Sequence, residues 1–137
     1  KKVPSSVFWK LLIGSLVMLI GGYAGEAGYV SAMVGFIVGM AGWIYILFEI
    51  FSGEAGQLAA KSGNKSLATA FSAMRIIVTV GWAVYPLGYM FGYLTSGGAD
   101  ANTLNIVYNA ADFLNKIAFG LIIWACAMQN TSARSAR

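Results

Sequence analysis

Residues 104–128, LNIVYNAADFLNKIAFGLIIWACAM, are long and apolar enough to cross a bilayer as one helix, yet they hold an aspartate and a lysine four residues apart. A span takes about 20 helical residues at a rise of about 1.5 Å each. Lys116 is the thirteenth of these 25 residues, so stretching along the helix brings its amine to neither membrane surface. An ionised group at that depth costs about 2.5–3.5 kcal/mol, and Asp112 adds a second such cost unless the two compensate each other. Their i, i+4 spacing puts them on one helix face, where a carboxylate lies beside a cationic nitrogen.

The rest of the chain agrees with a membrane setting. Of 137 residues, 58% are hydrophobic and 10% charged, and the mean hydropathy is +0.70. A water-soluble core of this size needs more charged surface than that, whereas lipid tolerates apolar surface all round a helix. Three further segments are long enough to span, at 7–25, 30–52 and 70–94. The fold class is all-α: a polytopic transmembrane bundle of four helices. Strands are excluded because the apolar runs lack period-2 alternation and a spanning barrel needs about eight strands or more. A hydroxyl of Ser5 or Ser6 is expected to cap the first helix, and GEAG at 25–28 to end it. GEAGQLAAKSGNKS at 53–66 reads as a polar connector, and the glycine pair in TSGGAD (95–100) as a tight turn into the last span. Glycine pairs Gly21/Gly25, Gly35/Gly39 and Gly88/Gly92 read as sites of close helix approach.

Lysine and arginine mark the cytoplasmic side of membrane proteins. Lys1, Lys2, Lys10, Lys61, Lys65, Arg75, Arg134 and Arg137 all fall on one side if the chain crosses four times, and the two opposite connectors hold Glu26 and Asp100 with no basic residue. Topology therefore accounts for eight of the nine basic residues and places the C-terminus in the cytoplasm. No nucleic-acid partner is expected. With no histidine and a single cysteine, Cys126, the chain has neither an internal disulfide nor a conventional zinc set, and no metal is expected. The opening KKVPSSVFWK lacks an initiator methionine and a secretory cleavage pattern, so it reads as internal to a longer protein.

Lys116 is the basic residue that topology leaves over. One reading is a buried ion pair that holds the bundle together. The other is chemical: desolvation disfavours an ammonium ion, and a free amine condenses with a carbonyl compound to form a Schiff base, whose charge Asp112 would balance. Trp82, Tyr85, Pro86 and Tyr89 recur at spacings of three and four, giving an aromatic stripe on one face of the third span. Such a stripe is ordinarily core. Beside a midplane lysine it also suits an extended apolar ligand. Pro86 leaves a backbone carbonyl without its donor, so a kink is expected there.

At these residues the chain resembles a known family. GWAVYPLGYMFGY (81–93) followed by IVYNAADFLNKIAFGLIIW (106–124) resembles the last two helices of microbial rhodopsins, nearest the proteorhodopsin branch. LLIGSLVMLIGGYAGEAG (11–28) and GWIYILFEIFSGE (42–54) resemble the two preceding helices. The resemblance makes residues 1–137 the C-terminal part of a single seven-helix domain, helices D to G. It implies all-trans retinal on Lys116 as a Schiff base, with Asp112 in the counterion complex. Trp82, Tyr85, Pro86 and Tyr89 correspond to retinal-contacting positions, Asn115 to a position of spectral tuning, and Met18 and Gly22 to the helix D wall. Gly39, Met40 and Trp43 correspond to the helix E wall.

The activity so implied is light-driven outward proton pumping, not enzymatic catalysis, in a bacterial plasma membrane. The family's primary proton acceptor and cytoplasmic donor lie on helix C, outside this chain. Helices A to C, from the same protein or a complementary fragment, are therefore expected partners, together with lipid and further copies in a homo-oligomer. Two alternatives stand beside this: a photosensor or a sodium or chloride pump of the same family, and a retinal-free structural or transport bundle using Asp112 and Lys116 as an ion pair.

Overall fold

In the computed structural model the described residues are 3–95, 98 and 100–135, with the backbone alone for 134 and 135. The turn expected from the glycine pair, and the basic side chains of residues 1, 2, 134 and 137, lie outside the described residues.

Four apolar segments form four spans, and no strand occurs among the described residues. The first is α1, Ser5–Glu26. It starts after Pro4 without a side-chain cap; the Ser6 hydroxyl instead donates to Glu54, 2.9 Å away. Gly28, at φ +76°, reverses the chain beyond it. The second, α2, is Ala32–Phe51, and Ser31 caps it by accepting the Val34 N–H at 3.3 Å. The third begins at α4, Lys65–Ile76, capped by Asn64. It continues as a π-helical turn at Ile77–Gly81, then α5 at Val84–Tyr89, then a second π turn at Met90–Leu94. The fourth, α6, is a 35-residue helix, Ala101–Ser135. The spans thus extend past the apolar limits 7–25, 70–94 and 104–128, because backbone hydrogen bonding continues the helix beyond its apolar residues.

The connector at 53–66 is not all turn. Glu54–Ala60 forms α3. Its Ala, Gln and Leu residues favour helix, and Glu54 in the first turn suits the helix dipole. Glu49, in the last turn of α2 and 3% exposed, accepts the Ala55 N–H at 3.1 Å. Lys10 of α1 lies 2.9 Å from Glu54 and 3.8 Å from Glu49, so three helices meet at one ionic cluster. Glu49→Ala leaves the Ala55 N–H without its acceptor, at a local cost of about 1–3 kcal/mol. Amide exchange across α3 is expected to accelerate, while exchange in the middle of α2 stays unchanged.

Each span packs on the next in chain order, so α1 and α6 flank the array. Large apolar side chains face outward along every span, Ile20, Ile37 and Phe113 among them, as lipid permits. The core is correspondingly small: Ile46, Ile50 and Val78, with Met18, Phe71 and Trp82 packed against them. Small residues bring the helices together instead. A Cβ on Gly35 would come within 2.6 Å of the Gly25 Cα, and one on Gly42 within 2.8 Å of the Gly14 carbonyl oxygen. Gly21, Gly25 and Gly35 therefore serve close approach as their spacing suggests, and Gly14 and Gly42 join them. Gly88 and Gly92 receive Tyr108 and Leu104 of α6.

Asp100 starts α6. Its carboxylate accepts the N–H groups of Asn102 and Thr103 at 2.9 and 3.0 Å and the Thr103 hydroxyl at 2.7 Å. The Thr103 side-chain and backbone bonds hold its pKa below the ordinary 3.8. A carboxyl whose folded-state pKa is depressed contributes stability above the unfolded value and loses it as pH falls through the folded one. Acidification below pH 3.8 is expected to fray the first turn of α6, and Asp100→Ala to do so at neutral pH. Exchange rates at Asn102 and Thr103 report both.

Candidate functional site

A cavity of about 830 Å3 lies where all four spans converge. Its chemistry centres on α6. Lys116 Nζ and Asp112 Oδ2 form an ion pair at 2.5 Å, one helical turn apart. The other oxygen of Asp112 accepts the Tyr85 hydroxyl from α5. Both carboxylate oxygens are thus engaged, one by a cation and one by a neutral donor, which fixes the group in place. Tyr108 lies one turn before Asp112, and its hydroxyl donates to the Tyr85 carbonyl at 3.3 Å, with the two rings 5.6 Å apart. Two consecutive turns of α6 therefore grip one tyrosine of the third span.

The walls come from different helices. Tyr89 is 5% exposed, donates to the Ala32 carbonyl at 3.0 Å and packs its ring 5.8 Å from that of Phe36. Trp82 and Pro86 complete the third span's side. The opposite wall is Met18 and Gly22 of α1 with Gly39, Met40 and Trp43 of α2. Trp43 donates its indole N–H to the Val78 carbonyl at 2.9 Å, and Asn115 donates its amide N–H to the Gly81 carbonyl at 3.0 Å. A Cβ on Gly22 or Gly120 would meet no atom within 4 Å, so both glycines leave room in the cavity.

Every residue singled out from the sequence faces this one cavity: Met18, Gly22, Gly39, Met40, Trp43, Trp82, Tyr85, Pro86, Tyr89, Asp112, Asn115 and Lys116. Sequence reasoning missed Phe36, Tyr108 and Phe119, which also line it. Helical spacing carried the signal: Phe36 precedes Met40 by four, Tyr108 precedes Asp112 by four, and Phe119 follows Lys116 by three. Lys116, at the middle of its span, is not enclosed by these four helices, since its side chain is 75% exposed and that of Asp112 40%. Depth in a membrane follows from position along one helix, whereas enclosure needs neighbours on every side of it.

The same arrangement has relatives. Residues 1–130 match the family model described as bacteriorhodopsin-like protein. The chain belongs to the bacteriorhodopsin-like family. The blue-light absorbing proteorhodopsin of Gamma-proteobacterium Hot 75m4 is 51% identical over 131 residues, covering 95% of this chain and 52% of that protein. The green-light absorbing proteorhodopsin of Gamma-proteobacterium EBAC31A08 is 48% identical over 130 residues, with the same shares. The crystal structure of blue light-absorbing proteorhodopsin from Med12 is similar with a TM-score of 0.74 at 52% identity, over 92% of this chain and 56% of that one. This bacteriorhodopsin-like chain therefore supplies four helices of the seven-helix rhodopsin fold and is an integral membrane protein. It spans about half the length of the curated relatives it matches.

Proposed function

We propose that residues 1–137 are the C-terminal part, helices D to G, of a retinal-binding, light-driven proton pump. The observation that carries this is the convergence of the Lys116–Asp112 pair and an aromatic wall on one cavity. Its volume of about 830 Å3 falls in the range of small-molecule sites, about 300–1,000 Å3. The residues present fit all-trans retinal: an amine for an aldehyde, a carboxylate beside it, and apolar walls with room left by Gly22 and Gly120. Lys116 Nζ is the attachment point and Asp112 the counterion. Trp82, Pro86 and Tyr89 hold one side of the chromophore and Met18, Gly39, Met40 and Trp43 the other. Retinal supplies light absorption and an isomerisation that re-aims a proton.

The chain's own contribution is electrostatic and positional. Asp112 balances the cation on Lys116, and the Tyr85 hydroxyl holds that carboxylate in place. Tyr85→Phe removes this donor and is expected to shift the absorption maximum or the pH at which the band titrates; no change in either counts against the assignment. The basic residues support a cytoplasmic C-terminus in a bacterial inner membrane. The exposure of Lys116 along α6 supports helices A to C as the partner that closes the site, in the same protein or as a complementary fragment. The test is direct. Retinal added to membranes holding the full-length protein gives a red-shifted visible band, and illumination acidifies the medium until a protonophore is added. Absence of the band refutes retinal binding; a band without acidification refutes pumping.

A further inference from the structure

In a regular helix the Val78 carbonyl accepts the Trp82 N–H and the Gly81 carbonyl accepts that of Tyr85. Neither bond exists here. The Trp82 N–H reaches back five residues to Ile77 at 3.0 Å, and the Tyr85 N–H goes to the Trp82 carbonyl at 3.1 Å. Pro86, five residues after Gly81, has no N–H to offer. A backbone carbonyl left unpaired away from water forfeits a hydrogen bond, so such groups find partners. Both freed carbonyls are met by side chains from other helices: Trp43 of α2 at Val78, and Asn115 of α6 at Gly81. The second contact needs glycine at position 81, because a Cβ there would overlap the Asn115 Oδ1 and come within 2.9 Å of its Cγ. Val78 is itself buried in the core, with Trp82 packed against the same cluster.

We propose that Trp43 and Asn115 are positioning residues that hold open the π turn at Ile77–Gly81 and so set the angle at which Trp82, Tyr85 and Tyr89 face the cavity. A π turn holds about one residue more than an α turn, so relaxing it rotates one side of the helix against the other by about 100°. Tyr85 would then leave Asp112. The staples act on the polypeptide itself, and their bearing on colour rests on the retinal reading above. Pro86 alone does not produce this geometry, because the widened turn ends before it and its carbonyls are satisfied from outside the helix.

Amide hydrogen exchange of the full-length, retinal-free protein tests this in Trp43→Phe, which keeps the ring without its N–H, and in Asn115→Leu, which keeps the bulk without the amide. Trp9→Phe, at a 56% exposed position away from the cavity, is the control. In peptides covering 77–89, each variant is expected to exchange about five- to tenfold faster. The infrared carboxylate band of Asp112 is expected to shift as its bond to Tyr85 is lost, and the control to match the unaltered protein. Unchanged exchange in both variants overturns the proposal. So does faster exchange with an unmoved Asp112 band, since that marks a merely structural bond. If the unaltered protein gives no visible band with retinal, the retinal reading falls, while the exchange and infrared results still decide the staple.

Discussion

If Lys116 carries retinal as proposed, Lys116→Ala is expected to abolish the visible absorption band that retinal gives with the full-length protein. The band needs a covalent nitrogen within the cavity, and Lys116 Nζ is the lysine nitrogen that lines it. Lys10 is tied to Glu54 and Glu49 at the far end of α1, and Lys61 and Lys65 flank the connector between α3 and α4. Alanine favours helix and removes a charge from a span, so the bundle keeps its helicity, and circular dichroism separates lost attachment from lost fold. The substitution also strips Asp112 of its cation while leaving Tyr85 in place, which makes the retinal-free variant sensitive to a second change, Asp112→Asn. A band that survives Lys116→Ala places the attachment elsewhere and overturns the site assignment.

Gly42→Leu separates the first two spans. A Cβ at position 42 lies 2.5 Å from the Met18 backbone nitrogen, 2.8 Å from the Gly14 carbonyl and 2.9 Å from the Met18 Cα. These are backbone atoms of a helix and cannot rotate aside. The whole of α1 must move, and overpacking of this kind costs about 1–3 kcal/mol or more. Displacing α1 also withdraws Met18 and Gly22 from the cavity wall, so retinal uptake falls together with thermal stability in detergent. Gly22→Leu gives the contrast. Its Cβ meets nothing within 4 Å, so the bundle is expected to melt where the unaltered protein does while the cavity fills and retinal uptake drops. Equal melting of Gly42→Leu and the unaltered protein would show that the α1–α2 contact contributes little.

Much of the fold is legible in the sequence because lipid imposes strong rules. A span must satisfy its own backbone, so it reads as a long apolar run. Asp112 and Lys116 are legible for the same reason: a charge within a span is conspicuous, and four-residue spacing supplies its partner. The helix α3 was not legible, since its seven residues are too few for a periodic signal and Glu49, six residues upstream of Ala55, fixes its start. Which hydroxyl caps a helix is equally a matter of neighbours: Ser6 faces Glu54 across 48 residues of chain. Phe36, Tyr108 and Phe119 sit at readable spacings, but an aromatic residue at helical spacing is as often lipid-facing or core until its neighbours are known.

The sequence by itself determined the four spans, the Lys116–Asp112 pair and the presence of a break near Pro86, because each depends on hydropathy, charge or a covalent constraint carried by nearby residues. The tertiary structure decided where the break lies and which way the aromatic stripe faces. Proline removes one N–H, but the third span distorts into a π turn from Ile77, and Trp43 and Asn115 from two other helices satisfy the carbonyls that the distortion frees. Those bonds join residues more than 30 positions apart in the chain. No local pattern encodes them, because they exist when three helices are packed at one depth and an unpaired carbonyl there has no water to turn to.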